Sequence, residues 1–278
     1  MTRYRLCAFA DEADKSIDGQ IEVLNHHGIR LLEIRGVDGE NISEITEKKA
    51  HEVKAKLDTH GISVWSVGSP IGKIKITDDF HDHLEKFKRT LNTAHILGAD
   101  HMRIFSFFVP TGEAQMYSDE VCRRLSLLCD SARGSGIMLC HENEKGIFGD
   151  NAARCEYIHK NLPGLRAVFD PANFIQCGQD VSAAWEMLSA YVEYMHIKDA
   201  TADGKVVPAG AGIGNIDTLL SNYNGDVLTL EPHLTVFDGL SALEGEEKTK
   251  IDAYRYPSER EAFSAAVSAL KDITAKHT

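Results

Sequence analysis

Two patterns of hydrophobic and polar positions alternate along this chain. Short apolar segments rich in β-branched residues recur, and between them apolar residues lie three or four positions apart, the spacing of one helix face. Strands that alternate with helices in this way form parallel sheets. The predicted strands are YRLCAFA from Tyr4, LLEIRG from Leu31, SVWSVGS from Ser63, HMRIFSF from His101, IMLCHEN from Ile137, RAVFD from Arg166, VEYMHIKD from Val192 and DVLTLEP from Asp226.

The segments between these strands carry the signals of helix ends. Gly28, Gly61 and Gly98 each come shortly before a predicted strand, which is typical of a helix C-terminal glycine. Ser258 and Glu261 form a capping-box pattern that opens the last helix. Eight strand and helix repeats in 278 residues fit the size of one α/β barrel. The sequence therefore predicts an α/β fold, a single (β/α)8 TIM barrel over residues 1–278.

One connection is longer than a barrel loop needs to be. It runs over about residues 235–257, after the eighth strand, and such loops are typically functional or involved in assembly. Its larger side chains could cover a ligand or pack on another subunit of a homo-oligomer. They are Phe237, Tyr254, Arg255 and Tyr256.

Composition narrows the classes of partner. The formal net charge is -12, with 42 acidic and 30 basic side chains, and no local basic patch offsets it, so we expect no nucleic-acid partner. No apolar run is long enough for a bilayer or a signal peptide, which predicts a cytoplasmic protein without a membrane partner. The six cysteines form no C-x-x-C pair, so we expect reduced thiols.

Four consecutive predicted strands each end in a carboxylate or an imidazole: Glu142, Asp170, His196 and Glu231. The C-terminal ends of all barrel strands meet at one face, where clustered carboxylates repel each other unless a cation lies between them. Taken singly, each residue has a structural explanation, but their conjunction favours a shared site for one divalent metal. Three carboxylates and one imidazole suit Mn, Mg, Co or Zn, and among these we favour Mn.

Several motifs around these residues resemble a known family. The segments HENEKGIFGD, VFDPANF, YMHIKDA, PAGAGIG and LTLEPH are similar to stretches of the xylose isomerase-like barrel superfamily, which contains the sugar phosphate isomerases and epimerases. The resemblance covers nearly the whole chain and implies that Glu142, Asp170, His196 and Glu231 are the metal ligands. In the ketose 3-epimerase branch it also implies that Glu142 and Glu231 form the catalytic acid/base pair.

The expected function is that of a metal-dependent isomerase or epimerase of a sugar or sugar phosphate. A divalent metal that binds a carbonyl oxygen and the neighbouring hydroxyl would stabilise the enediolate formed when a proton leaves the carbon between them. Glu142 and Glu231, on opposite faces of that carbon, could remove and return the proton. Asp170 and His196 are then ligands only.

Two positions depart from the epimerase pattern. Epimerases of this superfamily often have His where this chain has Asn173, and Arg where it has Ala202. Both groups contact the substrate in the ketose epimerases. The identity of the carbohydrate therefore stays open.

Further residues near the strand ends are candidates for substrate binding or for support of the ligands. They are Lys198, Asn173, Arg103, Glu33, Arg35 and His233. Glu33, Arg35 and Arg103 could equally form structural ion pairs, and His233 could hydrogen-bond the ligand shell. His141 points away from Glu142 along the strand and is expected to be structural. The glycine-rich PAGAGIG at 208–214 lies where barrels bind phosphate, or is a plain turn.

Three other functions share this barrel. A metal-dependent dehydratase or lyase of a keto-sugar or keto-inositol begins with the same proton abstraction, so the ligands alone do not separate it from an epimerase. An apurinic endonuclease needs additional histidines for a trinuclear zinc cluster, and Asn173 stands where one of them would be. An inert sugar-binding protein is disfavoured because all four ligands are present.

Overall fold

Eight parallel strands close into a barrel in the computed structural model of the chain, which describes residues 3–237 and 256–277. The barrel strands are β1 (Arg5–Ala8), β2 (Leu31–Ile34), β3 (Ser63–Gly68), β4 (His101–Ile104), β5 (Met138–Glu142), β6 (Arg166–Phe169), β7 (Val192–Ile197) and β8 (Val227–Leu230). Each neighbours the next in sequence, and β1 also pairs with β8, which closes the sheet. All eight predicted strands and the predicted TIM barrel are confirmed.

Helices lie between the strands in chain order. They are α1 (Ile17–His27), α2 (Glu47–Thr59), α3 (His81–Leu97), α4 (Ala114–Ala132), α5 (Ala152–Asn161), α6 (Pro171–Gln176), α7 (Val181–Leu188), α8 (Ile216–Asn222) and α9 (Glu259–Thr274). Two short 3-10 helices cover Ala10–Glu12 and Ser189–Tyr191. None of the described helices is long and apolar enough to cross a lipid bilayer.

The helix ends follow the predicted signals. Gly28 and Gly98 end α1 and α3 with φ of 70° and 71°, a left-handed backbone that glycine adopts without a steric penalty. At the start of α9, the Ser258 hydroxyl accepts a hydrogen bond from the Glu261 amide at 3.2 Å. These residues therefore fix where the helices begin and end.

The barrel interior has an apolar lower layer. Its buried cluster consists of Cys7, Cys140, Val168, Tyr194 and Val227. Side chains two residues apart on a strand point to the same face, so the next inward positions on β5, β6 and β7 lie one layer nearer the C-terminal end. Those positions are occupied by Glu142, Asp170 and His196. The strands thus deliver ionisable groups immediately above an apolar floor.

Short antiparallel ribbons extend two of the loops on this face. One pairs Gly36–Val37 with Glu40–Asn41, and the other pairs Asp199–Ala200 with Val206–Val207. Most of the predicted long loop, residues 238–255, lies outside the described residues. Phe237, at its start, is buried, and its ring centroid lies 5.6 Å from that of His233. All six cysteines are free thiols.

Candidate metal centre

The structure brings together the four residues predicted as metal ligands. Glu142, Asp170, His196 and Glu231 each offer one ligand atom, and these atoms all lie within 4.8 Å of one another. Each of the four residues is at most 3% exposed. Four ionisable groups therefore converge in the buried interior of the barrel.

Glu142 is held at the end of β5 by groups on three other elements. Its Oε2 accepts a hydrogen bond from Arg103 at 2.6 Å, and its Oε1 lies 3.0 Å from His196 Nδ1. The Asn173 side chain donates to Oε1 at 3.3 Å and to the Asn143 carbonyl at 2.9 Å. Asn173, predicted to bind substrate, is thus placed to orient Glu142.

Asp170 divides its two oxygens between two roles. Oδ1 accepts the Asn173 amide at 2.9 Å and so caps the first turn of α6. Oδ2 lies 2.8 Å from Lys198 Nζ. The Asn143 side chain bridges the Asp170 backbone, accepting from its amide and donating to its carbonyl, both at 2.9 Å. The carboxylate therefore has a fixed direction.

His196 is oriented by Glu33. Its Nε2 lies 3.1 Å from Glu33 Oε2, while Glu33 Oε1 accepts the Tyr194 hydroxyl at 2.8 Å and the Ser66 hydroxyl at 3.2 Å. A carboxylate that binds one ring nitrogen leaves the other to face a metal, here Nδ1. Glu33 was a candidate for substrate binding, but it is fully buried beneath His196.

Glu231 lies between two buried cations. Its Oε1 accepts from Arg35 at 3.1 Å and its Oε2 from Lys198 at 2.9 Å. Lys198 therefore bridges Glu231 and Asp170. Burial alone would lower the pKa of Lys198, but these two carboxylates raise it well above its usual value. Lys198, one of the predicted candidates, therefore stays charged at the site.

Arg35 connects Glu231 to acidic groups that follow β1. Its guanidinium donates to Asp11 at 2.9 and 3.0 Å and to Glu12 at 3.1 Å. Glu12 in turn accepts the His233 amide at 2.7 Å and lies 3.3 Å from His233 Nε2. His233 has a φ of 46°, an unfavourable value for a residue other than glycine. Both predicted candidates, Arg35 and His233, thus lie beside the ligand shell.

Arg103 keeps two donors that face no protein acceptor. Its Nη1 binds Glu142, but within the described part of the chain neither Nε nor Nη2 has a hydrogen-bond partner. Its guanidinium carbon lies 4.5 Å from the ring centroid of Phe105 and 5.5 Å from that of Phe9. The residue is only 2% exposed. Buried donors of this kind suit a ligand oxygen.

Negative charge exceeds positive charge in this network. Its carboxylates are Asp11, Glu12, Glu33, Glu142, Asp170 and Glu231, and its permanent cations are Arg35, Arg103 and Lys198. Burial raises the pKa of Asp170 to about 7, against the effect of Lys198, and that of Glu12 to about 8, against the effect of Arg35. An oxygen-rich donor set with excess negative charge fits a divalent metal ion.

Three backbone amides of the glycine-rich turn after β7 donate hydrogen bonds to a carboxylate of the protein itself. Asp199 accepts the amides of Gly210, Gly212 and Gly214 at 2.9, 3.1 and 2.9 Å. A Cβ on Gly212 would lie 2.3 Å from Asp199 Oδ1, so the close approach requires glycine. Because these amides already bind an anion of the chain, the turn is structural and does not cradle phosphate.

The sequence reasoning missed Asp11, Glu12 and Asn143. Asp11 and Glu12 lie three and four residues after the end of β1 and directly after the predicted first strand, so the rule applied to the ends of the last four strands would have found them there too. His141 behaves as expected for a structural residue. Its Nε2 lies 2.9 Å from the Ser106 hydroxyl, and burial lowers its pKa to about 3.

Comparisons with known proteins agree with the architecture. A family model described as xylose isomerase-like TIM barrel matches residues 21–232. A search of curated proteins by sequence finds no match. Among solved structures, the IolI protein with a bound zinc atom aligns with a TM-score of 0.73 at 15% identity, covering 99% of both chains.

Two similar enzymes differ in their chemistry. D-psicose 3-epimerase with D-tagatose, from Clostridium cellulolyticum H10, aligns with a TM-score of 0.73 at 15% identity over 98% of this chain and 99% of its own. The probable 3-DHS dehydratase AsbF, from Bacillus anthracis, gives 0.73 at 14% identity over 96% and 98%. At these identities the likeness shows a common fold.

Proposed function

The chain belongs to the xylose isomerase-like TIM barrel family, and we propose that it is a divalent-metal-dependent enzyme that isomerises or epimerises a small keto-sugar. The observation that carries the proposal is the convergence of Glu142 and Glu231 on His196, each held by a different arginine. Two fixed carboxylates around one centre suit removal of a proton and its return. A ketose epimerase with the same fold supports the choice of substrate class.

Glu142, Asp170, His196 and Glu231 would hold the metal through three carboxylates and the Nδ1 nitrogen. Bound there, a divalent ion supplies Lewis acidity that polarises a carbonyl group and makes the neighbouring C–H more acidic. The donor set suits manganese, magnesium, cobalt or zinc, and we favour manganese. Elemental analysis of the purified protein, which identifies the metal that it retains, tests this choice.

Glu142 and Glu231 would carry the proton. Burial alone would raise the pKa of Glu142, but His196 and Arg103 lower it, so the carboxylate is ionised and able to accept a proton. Arg103 fixes one oxygen of Glu142 and leaves the other toward His196. The Nε and Nη2 of Arg103, which have no hydrogen-bond partner among the described residues, would bind a substrate oxygen, and the ammonium of Lys198, which follows β7, would assist.

Hydrogen exchange with solvent tests this proposal directly. The Mn-loaded protein is incubated in deuterium oxide with a panel of ketoses, ketose phosphates and keto-inositols, and products are read by NMR and mass spectrometry. We expect one deuterium to enter at the carbon next to the carbonyl of a ketose. Loss of water would instead identify a dehydratase, and no exchange with any compound by metal-loaded protein would contradict the proposal.

A further inference from the structure

The geometry points to a second divalent-metal site, formed by Glu12, Glu231 and His233 beside the four-residue centre. Glu231 belongs to both groups and would be shared by the two sites. One ligand atom from each of the three residues lies within 4.8 Å of the others. The inference shares Glu231 with the proposed function but does not depend on which substrate the enzyme uses.

Ligand spacing is that of a coordination sphere. His233 Nε2 lies 3.3 Å from Glu12 Oε1 and 3.6 Å from Glu231 Oε1. Bonds of about 2.0–2.2 Å from a metal to nitrogen and oxygen place neighbouring ligand atoms roughly 3 to 3.6 Å apart. One ion can therefore bind His233 together with either glutamate with little movement of the side chains, and the remaining ligand atom lies within 4.8 Å of the other two. Two carboxylates and one imidazole suit zinc, manganese or cobalt.

An unpartnered nitrogen points into this site. His233 is 7% exposed, yet its Nε2 has no hydrogen-bond partner in the described part of the chain. Buried polar atoms are seldom left in that state without a ligand or water to satisfy them. The His233 amide donates to Glu12 Oε2 at 2.7 Å, which holds the imidazole beside the glutamate. The ring therefore has a fixed place and an unused donor or acceptor atom.

The net negative charge of the network exceeds what one divalent ion neutralises. With all six carboxylates ionised, as metal binding requires of its ligands, the three permanent cations leave a difference of three negative charges, and one divalent ion at the four-residue centre offsets only two. Arg35 does not neutralise Glu12 alone, because it also binds Asp11 and Glu231. A carboxylate oxygen has two lone pairs, so Glu12 and Glu231 can bind a metal while they still accept from Arg35.

Metal stoichiometry tests the inference. Metal-stripped full-length protein is titrated with Mn²⁺ or Zn²⁺ by calorimetry, and bound metal is then measured by elemental analysis after gel filtration. We expect two equivalents for the unchanged chain and one for both Glu12→Gln and His233→Gln. A further readout is the Mn²⁺ EPR spectrum, which should show spin coupling at two equivalents only when both sites are intact.

The control is His95→Gln, a substitution of an exposed histidine on α3 that should keep both equivalents. One equivalent in the unchanged chain, or two in both site variants, would overturn the inference. Loss of both ions in a site variant with an unchanged circular dichroism spectrum would also overturn it, because Glu12 and His233 would then only position Glu231. Two equivalents without deuterium exchange would reject the proposed function and keep the second site.

Discussion

Two layers of the barrel interior, built from the same strands, have opposite chemistry. On β5, Cys140 lies in the apolar layer and Glu142 in the charged layer, and on β7 the corresponding pair is Tyr194 and His196. The backbone of each pair is continuous and the side chains point to one face, so only residue type distinguishes the layers. The barrel geometry thus brings side chains together, and the residue types at one level make that level ionisable.

The apolar layer also affects the charged layer electrostatically. Attraction between charges strengthens in surroundings of low dielectric constant, to which the apolar floor of Cys7, Val168 and Val227 contributes. One hydrogen-bond chain connects the layers, from the Tyr194 hydroxyl through Glu33 to His196. We therefore expect substitutions in the charged layer to change turnover or metal affinity, and substitutions in the apolar layer to change the free energy of unfolding.

The largest effect is expected in the charged layer, from Glu142→Gln. The amide cannot accept the proton and weakens the bond to Arg103, so turnover should fall about 100- to 10,000-fold, the usual contribution of a general acid or base. The measurement is deuterium exchange at saturating substrate, with circular dichroism to check the fold. Glu52→Gln, at an exposed position on α2, is the matched control and should keep full activity. Unchanged turnover in Glu142→Gln would remove the residue from the mechanism.

A smaller effect is expected where the two layers meet, from Glu33→Gln. The variant keeps the side-chain shape but weakens the bond that orients His196, so metal affinity should fall about 10- to 100-fold, as for other residues that support a metal ligand. Calorimetric titration with Mn²⁺ measures this, and the amount of metal bound at saturation should not change. Affinity equal to that of the unchanged chain would show that Glu33 does not position the ligand.

A substitution in the apolar layer should lower stability and leave metal affinity unchanged. Val168→Ala removes buried methyl groups and leaves a small cavity, so the free energy of unfolding should fall by about 1.5 kcal/mol, while metal affinity stays constant. Denaturant unfolding of metal-free protein gives the first quantity and titration the second. A change in metal affinity comparable to that of Glu33→Gln would show that the layers are not separable.

Much of this arrangement follows from the sequence alone. Eight strands and the convergence of Glu142, Asp170, His196 and Glu231 could be predicted, because a parallel barrel brings every strand end to one face whatever the side chains are. That argument depends only on order along the chain. It needs no knowledge of which side chains touch.

The remaining contacts depend on tertiary partners that order along the chain does not specify. Asp199 also stands at a strand end, yet its carboxylate turns into the glycine-rich turn and not into the centre. Glu33 has the same residue type as the ligands but lies beneath His196, since Tyr194 and Ser66 donate to it there. Glu33 thus differs from the predicted metal ligands in how far along the barrel axis its carboxylate lies. The position of a residue within its strand does not specify that distance well enough.

The two roles of Asp170 have a consequence for how the centre is ordered. Its Oδ1 is fixed by capping α6 and its backbone by the Asn143 side chain, so its rotamer is selected when the chain folds. The loss of side-chain conformational entropy then belongs to folding and not to metal binding. Preorganisation of this kind favours tight binding of a metal, because less entropy is lost when the four side chains bind it. Under the proposed function, a helix of six residues would thus contribute to metal affinity without supplying a ligand of its own.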